Sequence, residues 1–170
     1  MPPEVPDPAA VRVFIGLGSN LEDPIRQVRT AFDELAGLPR TCLVRRSSLY
    51  ETPPMGPPGQ PHYINAVAEL ATSLAPHALL DALQAVETAH RRVRGTRWGP
   101  RTLDLDLLVY GDAVIRDARL VVPHPGIAAR GFVLMPLAEI APSLVIPGLP
   151  SPETLLAGVD THGICRAADP

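Results

Sequence analysis

The chain has 170 residues, 46% of them hydrophobic, which is enough for one domain with a sizeable core. Its formal net charge of −3 excludes the general positive field that binds nucleic acid. All 15 positively charged side chains are arginines, and the P-loop and protein-kinase signatures both need a lysine, so these two nucleotide-binding schemes are excluded as well.

The start of the chain shows no pattern of export or membrane insertion. Residues 1–10 contain four prolines and no apolar core of a signal peptide, so we expect a disordered tail there. No run approaches the roughly 20 apolar residues of a membrane span. The two cysteines, Cys42 and Cys165, form no metal-binding or redox motif. We therefore expect a cytoplasmic protein without a membrane or nucleic-acid partner.

The first predicted element is a strand over residues 11–17, an apolar run rich in β-branched residues. The GLGSN segment at its end matches the dinucleotide fingerprint only in part, because Leu21 stands where the third glycine belongs. We attribute its glycines to a sharp turn into a helix. That helix begins after Asp23, a favourable N-cap, and ends at Gly37. Its apolar face repeats at helical spacing: Ile25, Val28, Phe32 and Leu35.

A second strand with a polar middle is predicted over residues 43–50. Residues 51–61 contain five prolines and two glycines, which predicts a surface loop with a functional role. Residues 63–72 then alternate as a strand in which Asn65 shares a face with Tyr63. An amide on an apolar strand needs a partner if it is buried. Taken alone, Asn65 is more simply explained as a surface residue.

A second helix is predicted from Pro76 to about residue 90. Leu79, Leu83 and Val86 form its apolar face, and Gln84, Glu87 and Arg91 fall together on another face. Glu87 has two explanations. It is either the helical partner of Arg91 or a contact to a ligand.

The stretch from Arg91 to Asp106 places five arginines before two aspartates. Asp104 and Asp106 alternate with leucines, which predicts a strand with both carboxylates on one face, about 7 Å apart between Cα atoms. Two such carboxylates repel unless a cation lies between them, and Mg²⁺ prefers carboxylate oxygens together with substrate phosphates. The arginines bind phosphate bidentately, so the stretch suits a polyphosphate with one or two metal ions. A strand with a merely solvated face is the alternative.

The rest of the chain is predicted to hold a small hairpin, with strands near residues 114–115 and 120–122, and a short helical stretch that ends near residue 140. His124 lies between two prolines, and a lone histidine is more often structural than catalytic. The order of elements predicts a ferredoxin-like α+β fold with a βαββαβ core, an antiparallel sheet with helices on one face, and a C-terminal hairpin and short helices. We expect one domain over residues 11–150 and an irregular extension over residues 151–170.

Several separate motifs carry a resemblance to a known family. In chain order they are IGLGSN (15–20), SSLYETPPMG (47–56), QPHYINAV (60–67), RVRGTRWGPRTLDLDLLVYG (92–111), VPHP (122–125) and RGFVLMPLAEIAP (130–142). Their order and spacing resemble the 6-hydroxymethyl-7,8-dihydropterin pyrophosphokinase family of folate biosynthesis.

The resemblance implies that a pyrophosphoryl group moves from ATP to the hydroxymethyl oxygen of the pterin, with release of AMP. Two magnesium ions would be held by Asp104 and Asp106, and Arg92 and Arg101 would complete the catalytic set. The residues implied on the nucleotide side are Gln84, Glu87, Arg92, Arg94, Arg97, Trp98, Arg101, Leu107, His124 and Arg130.

On the pterin side, the resemblance implies that Tyr63 and Phe132 sandwich the ring and that Asn65 binds its polar edge. Stacking combined with amide hydrogen bonds suits a planar ring with a polar rim. The residues implied for this side are Thr52, Pro53, Met55, Tyr63, Asn65, Trp98, Asp104 and Phe132. The group that accepts the hydroxymethyl proton, an aspartate or a metal-bound water, stays open.

Two other functions remain as alternatives. One is a ferredoxin-like module that binds a small ligand without catalysis. The other is a metal-dependent nucleotidyl or monophosphoryl transferase, which would yield pyrophosphate or ADP instead of AMP. We expect the protein to act as a monomer.

Overall fold

The computed structural model describes residues 8–21, 23–53, 62–92 and 102–167, and for Arg92 the main chain alone. Within these ranges the regular elements follow one another in this order: β1 (Val11–Ser19), α1 (Pro24–Ala36), β2 (Thr41–Arg46), β3 (Tyr50–Thr52), β4 (Tyr63–Thr72), α2 (Pro76–Arg92), β5 (Asp104–Tyr110), β6 (Ile115–Arg116), β7 (Val121–Val122), a 3₁₀ turn (Ile127–Ala129), α3 (Gly131–Ile140), α4 (Pro152–Ala157) and β8 (Cys165–Arg166).

The main sheet is antiparallel at every described pairing. Its order is β5–β1–β4–β3–β8, and β2 pairs with β4 beyond the end of β3. The strand order β5–β1–β4–β2 is the one that a βαββαβ chain produces when both helices cross the same face. The predicted ferredoxin-like α+β class is confirmed. A small hairpin of β6 and β7 lies outside this sheet, as the sequence predicts.

Helix α1 has the predicted ends. The Asp23 carboxylate accepts from the Arg26 N–H at 3.4 Å, Pro24 begins the helix, and the Gly37 N–H closes it by donating to carbonyls one turn back. The apolar side chains of α1 and α2 pack on one face of the sheet around Phe32 and Leu83, as expected. In the described part of the chain, no helix combines the length and apolar character that crossing a bilayer requires.

The other face of the sheet is covered by α3 and α4. Phe14, Val67 and Leu108 on the sheet pack there against Leu134 and Leu137 of α3. This second layer leaves one end of the face uncovered, beyond the start of α3. A cleft opens at that end.

The predicted single strand over residues 43–50 is wrong in its extent, because two strands occupy this region. Between β2 and β3, the Ser47 N–H donates to the Val67 carbonyl and the Val67 N–H donates to the Ser47 hydroxyl, both at 2.9 Å. The Ser48 N–H and hydroxyl donate to the Glu139 carboxylate. Serine side chains and Glu139 thus replace ladder bonds at the polar residues that separate the two strands.

The segment after residue 150 was expected to be irregular, and this is corrected. Ser151 caps α4 through its hydroxyl, which accepts from the Thr154 N–H. Strand β8 pairs with β3, so a strand from the end of the chain forms one edge of the sheet. A two-residue strand has too little periodicity to be recognised in a sequence, and only its partner strand defines it.

Candidate functional site

A cleft of about 560 Å³ opens at the uncovered end of the sheet. Four strands and the segment that enters α3 contribute to its walls. The described residues that line it are Gly16, Leu17, Gly18, Thr52, Pro53, Tyr63, Asn65, Ala66, Asp104, Asp106, Ala129, Arg130, Phe132 and Val133. Residues predicted for the pterin side, the metal pair and the nucleotide side therefore share one cavity.

The two aspartates lie on the cleft face of β5, as predicted from their spacing. Leu105 and Leu107, which alternate with them, are buried in the core on the opposite face. Asp104 is half-buried and Asp106 is exposed. The strand therefore presents both carboxylates to the cleft while its leucines hold it in the sheet.

Two glycines of β1 stand directly opposite the aspartates. Gly16 pairs with Asp106 and Gly18 pairs with Asp104 across the antiparallel ladder. Side chains at cross-strand partners point to the same face, so β1 places no side chain beside either carboxylate. This corrects the explanation of these glycines as a turn, since both lie inside a strand. Their two-residue spacing, equal to that of the aspartates, was the signal in the sequence.

The donor set fits a hard divalent cation that is shared with a substrate. The described residues contain no group of three or more histidine, cysteine, aspartate or glutamate side chains able to hold a metal ion by themselves. Two carboxylates that line a cleft supply part of a coordination shell and leave its other positions to phosphate oxygens and water, which is the arrangement that Mg²⁺ favours.

Asn65 lies on β4, which pairs with β1 on the side away from β5. It is 8% exposed and pairs with Gly18 on one side and Tyr50 on the other. Its amide Nδ2 donates to the Thr52 hydroxyl at 3.1 Å. Its simple explanation as a surface residue is wrong, because the amide is buried, held by a partner and in the wall of the cleft.

The aromatic residues expected around the pterin both reach the cleft. Tyr63 begins β4 opposite Thr52, and Phe132 lies in the first turn of α3. The guanidinium carbon of Arg130 lies 5.9 Å from the centre of the Phe132 ring. This cation–π contact links the pterin-side ring to a residue predicted for the nucleotide side.

His124 is placed by its own backbone and by the turn that follows it. Its N–H donates to the Leu108 carbonyl at 2.9 Å, and its Nδ1 accepts from the Gly126 N–H at 3.0 Å. Burial lowers the pKa of His124, the Asp106 carboxylate raises it, and the Arg130 guanidinium lowers it, with a net decrease. The neutral imidazole is therefore favoured, with its proton on Nε2.

Glu87 forms a hydrogen bond to β5, the strand that carries both aspartates. Its carboxylate accepts from the Leu105 N–H at 2.9 Å, at the residue between the two aspartates. Strand β5 is at the edge of the sheet, so this N–H points away from β1 and needs a partner from elsewhere. The sequence left Glu87 as a partner of Arg91 or a ligand contact, and neither explanation included this bond.

The remaining residues that were predicted for the site are not among the described residues that line the cleft. Gln84 is exposed on α2 and does not line the cleft, and the Leu107 side chain is 3% exposed in the core, so a nucleotide contact there is restricted to its main chain. The side chain of Arg92 lies outside the described part of the chain. The same holds for five whole residues among those predicted, which are Met55, Arg94, Arg97, Trp98 and Arg101.

Comparison with protein families gives one match over most of the chain. Residues 14–142 match the model of 7,8-dihydro-6-hydroxymethylpterin-pyrophosphokinase. A 2-amino-4-hydroxy-6-hydroxymethyldihydropteridine pyrophosphokinase of Pseudomonas aeruginosa is 52% identical over 156 residues, which is 91% of this chain and 96% of that protein. The protein with the same name in Haemophilus influenzae is 48% identical, over 81% of this chain and 86% of its own length.

Solved structures agree on the fold. A Plasmodium falciparum HPPK-DHPS triple mutant matches with a TM-score of 0.71 over 88% of this chain, at 12% sequence identity. A wild-type HPPK-DHPS from the same organism matches with a TM-score of 0.66 at the same identity. The match spans 43% of each of those longer chains.

Proposed function

The chain belongs to the 7,8-dihydro-6-hydroxymethylpterin-pyrophosphokinase family, and on that basis we propose how its residues carry out the reaction. The chain transfers the pyrophosphoryl group of ATP to the hydroxymethyl oxygen of the dihydropterin, which yields AMP and the pterin diphosphate. This reaction belongs to folate biosynthesis. ATP is the co-substrate.

Asp104 and Asp106 hold two magnesium ions in the proposed site. The observation that carries this assignment is the register that places Gly16 and Gly18 opposite the two carboxylates, because β1 then has no side chain that competes with ions and phosphate oxygens for them. Bound ions would neutralise the phosphates and polarise the group that is transferred. The aspartates supply charge at fixed positions on a strand, so little reorganisation is needed when charge develops.

The pterin occupies the part of the cleft between Tyr63 and Phe132 in this proposal, with Thr52, Pro53 and Met55 as its wall. Asn65 donates to Thr52, and this bond fixes the amide plane so that its carbonyl oxygen is oriented before the ligand arrives. A planar ring between two aromatic residues, with an amide at its edge, directs the hydroxymethyl group toward the aspartates.

The nucleotide occupies the other side of the metal pair. Arg92 and Arg101 bind the phosphates, and Arg94, Arg97 and Trp98 close over them. Arg130 and neutral His124 contribute from the segment before α3, where Nε2–H of His124 is available as a donor and its Nδ1 is used by Gly126. Gln84, Glu87 and the main chain of Leu107 complete the proposed nucleotide side.

An alcohol that attacks phosphorus needs position and charge neutralisation more than a strong base. The cleft supplies both, which supports the proposed transfer over a module that only binds its ligand. We further propose that the active species is a monomer. ATP is a metabolite of the cytoplasm, which supports that compartment as the place of action.

The assignment of the metal pair predicts that Asp106→Asn lowers turnover by about a thousandfold or more, because one metal ligand loses its charge. The matched control is Asp112→Asn, an exposed aspartate in the turn after β5 and outside this cleft. The assay incubates each variant with ATP, Mg²⁺ and the hydroxymethyl dihydropterin and separates AMP, ADP and pyrophosphate.

The expected products of the wild-type chain are AMP and the pterin diphosphate. ADP or pyrophosphate as the product would instead assign a monophosphoryl or nucleotidyl transfer. Turnover near the wild-type rate in folded Asp106→Asn would remove the aspartate pair from the mechanism.

A further inference from the structure

The last described segment, residues 160–167, lies beyond the part of the chain that the family model matches, which ends at residue 142. We call it the C-terminal brace. Cys165 pairs with Glu51, Arg166 pairs with Tyr50, and the Ala167 N–H donates to the Leu49 carbonyl at 2.9 Å. The brace is therefore bonded along the outer edge of β3, the strand that ends at Thr52 and is followed directly by Pro53.

The turn of the brace meets the Pro53 ring. Gly163 has φ +82°, a conformation that strains any residue with a side chain. A Cβ at this position would lie 2.9 Å from Cγ of Pro53 and 3.4 Å from its Cδ. The main chain of the brace thus rests directly on a residue that lines the cleft.

The same segment also meets the start of α3, which forms another wall of the cleft. A Cβ on Gly131 would lie 2.9 Å from the Asp160 carbonyl oxygen and 3.1 Å from Cδ1 of Ile164. Gly131 precedes Phe132, whose ring lines the cleft. Two cleft walls that are far apart in the sequence therefore contact one short segment.

We infer that the C-terminal brace is a positioning element that holds Pro53 relative to Phe132 and so sets the width of the acceptor side of the cleft. This inference rests on the proposed function, because it takes the dihydropterin as the occupant between these walls. Neither wall needs to touch ATP for this role. The brace should therefore affect recognition of the pterin and leave recognition of ATP unchanged.

The test is Gly163→Ala compared with Gly148→Ala. Gly148 has φ +75° and no atom within 4 Å of an added Cβ, so the two variants share the backbone strain and differ in the contact with Pro53. We expect the KM for the pterin to rise about tenfold in Gly163→Ala relative to Gly148→Ala, since small displacements of positioning groups have large effects. The KM for ATP should be the same in both variants.

The same two glycine substitutions in a Pro53→Ala background test whether the effect of Gly163→Ala arises from its contact with Pro53. The Pro53→Ala change removes the ring atoms Cγ and Cδ that the new Cβ would meet. In that background, Gly163→Ala and Gly148→Ala should give equal KM values for the pterin, whereas a general structural effect of Gly163→Ala would persist.

Arg166→Ala tests the brace without a steric clash, in case Gly163→Ala does not fold. The Arg166 guanidinium interacts with Tyr50 and is attracted by Glu139, and the side chain is exposed. We expect a rise of about threefold in the KM for the pterin, as a looser brace positions the wall less well. Arg26→Ala, an exposed arginine on α1 behind the sheet, is the matched control and should have no effect.

The outcomes distinguish a failure of the inference about the C-terminal brace from a failure of the proposed function. A wild-type chain that turns over the pterin, with unchanged KM values in folded Gly163→Ala or in Arg166→Ala relative to their controls, overturns this inference alone. A wild-type chain that releases no AMP in the presence of the pterin overturns the proposed function, and this inference with it.

Discussion

Gly18 lies between the metal side and the acceptor side of the cleft. It faces Asp104 on β5 and Asn65 on β4. A Cβ at this position would lie 3.0 Å from Oδ1 of Asn65. The Asn65 amide is buried and bonded to Thr52, so it has little freedom to move away.

Gly18→Ala should therefore displace the Asn65 amide. We expect the KM for the pterin to rise by about tenfold or more, and stability to fall by about 1–2 kcal/mol, as overpacking of a filled site does. Steady-state kinetics and urea unfolding measure the two effects.

The Asn65→Ala background is the control for Gly18→Ala. Once the amide is absent, the added methyl group has no close neighbour at Oδ1, so the double variant should be no worse in its KM than Asn65→Ala alone. An equal loss from Gly18→Ala in both backgrounds would show that the glycine acts through some other contact.

At the scale of elements, the position of β5 depends on α2 as well as on β1. The first three residues of β5 include both aspartates, and no described strand pairs with its outer edge. The bond from the Leu105 N–H to Glu87 holds that edge between the two carboxylates. Helix α2 thus helps to position the strand that carries the proposed metal ligands.

We expect Glu87→Ala to expose the Leu105 amide. Loss of a hydrogen bond to a charged group should reduce stability by about 1–3 kcal/mol, with a discount for its partial exposure, and turnover should fall because the aspartates are less well held. Glu87→Gln keeps an acceptor oxygen and is the conservative control. Hydrogen exchange at the Leu105 amide gives the direct measurement.

Faster exchange at Leu105 in Glu87→Ala, with exchange closer to wild type in Glu87→Gln, is the expected result. Unchanged exchange in folded Glu87→Ala would show that this bond does not hold β5. Glu87 would then have the roles that the sequence suggested, toward Arg91 or the nucleotide.

At the scale of the whole molecule, one polar network joins α3, β3 and β8. The Tyr50 hydroxyl donates to Glu139 at 2.6 Å, Ser48 donates to the same carboxylate, and the Arg166 guanidinium interacts with Tyr50. Burial raises the pKa of Tyr50, and the hydrogen bond to Glu139 and its negative charge raise it further, while Arg166 lowers it by a smaller amount.

The raised pKa makes stability depend on alkaline pH. The folded state holds the Tyr50 proton more tightly than the unfolded state, whose tyrosines titrate near pH 10. The contribution of Tyr50 is therefore complete below about pH 10 and is lost as pH rises through its higher folded-state value. Burial raises the pKa of Tyr110 as well, so wild-type stability should fall above pH 10 through both residues.

Tyr50→Phe should remove part of this dependence. The variant is expected to be less stable at neutral pH by about 1–3 kcal/mol, because Glu139 loses a hydrogen-bond donor, and its stability should fall less steeply above pH 10. Urea unfolding at a series of pH values measures both effects. Parallel curves for wild type and variant above pH 10 would contradict the role of Tyr50.

Local patterns in the chain were sufficient to predict much of the fold. The caps at Asp23 and Gly37, the helical spacing in α1 and the alternation in β5 depend on residues close in sequence, and the structure confirms each of them. The position of both aspartates on one face follows from the same alternation. Ser47 and Ser48 mark where such reasoning fails, because hydrogen bonds to Val67 and Glu139 interrupt the strand there.

The sequence by itself determined the ferredoxin-like class, the family and the residue types that the reaction needs, because these follow from periodicity and from motifs in a fixed order. Only the tertiary structure decided that Gly16 and Gly18 face the aspartates, that Asn65 is buried beside Thr52 and that Glu87 holds Leu105. It also decided that residues 160–167 lie against Pro53 and Gly131. Each of these facts is a contact between segments distant in the chain, set by strand register and by packing, and no local pattern encodes it.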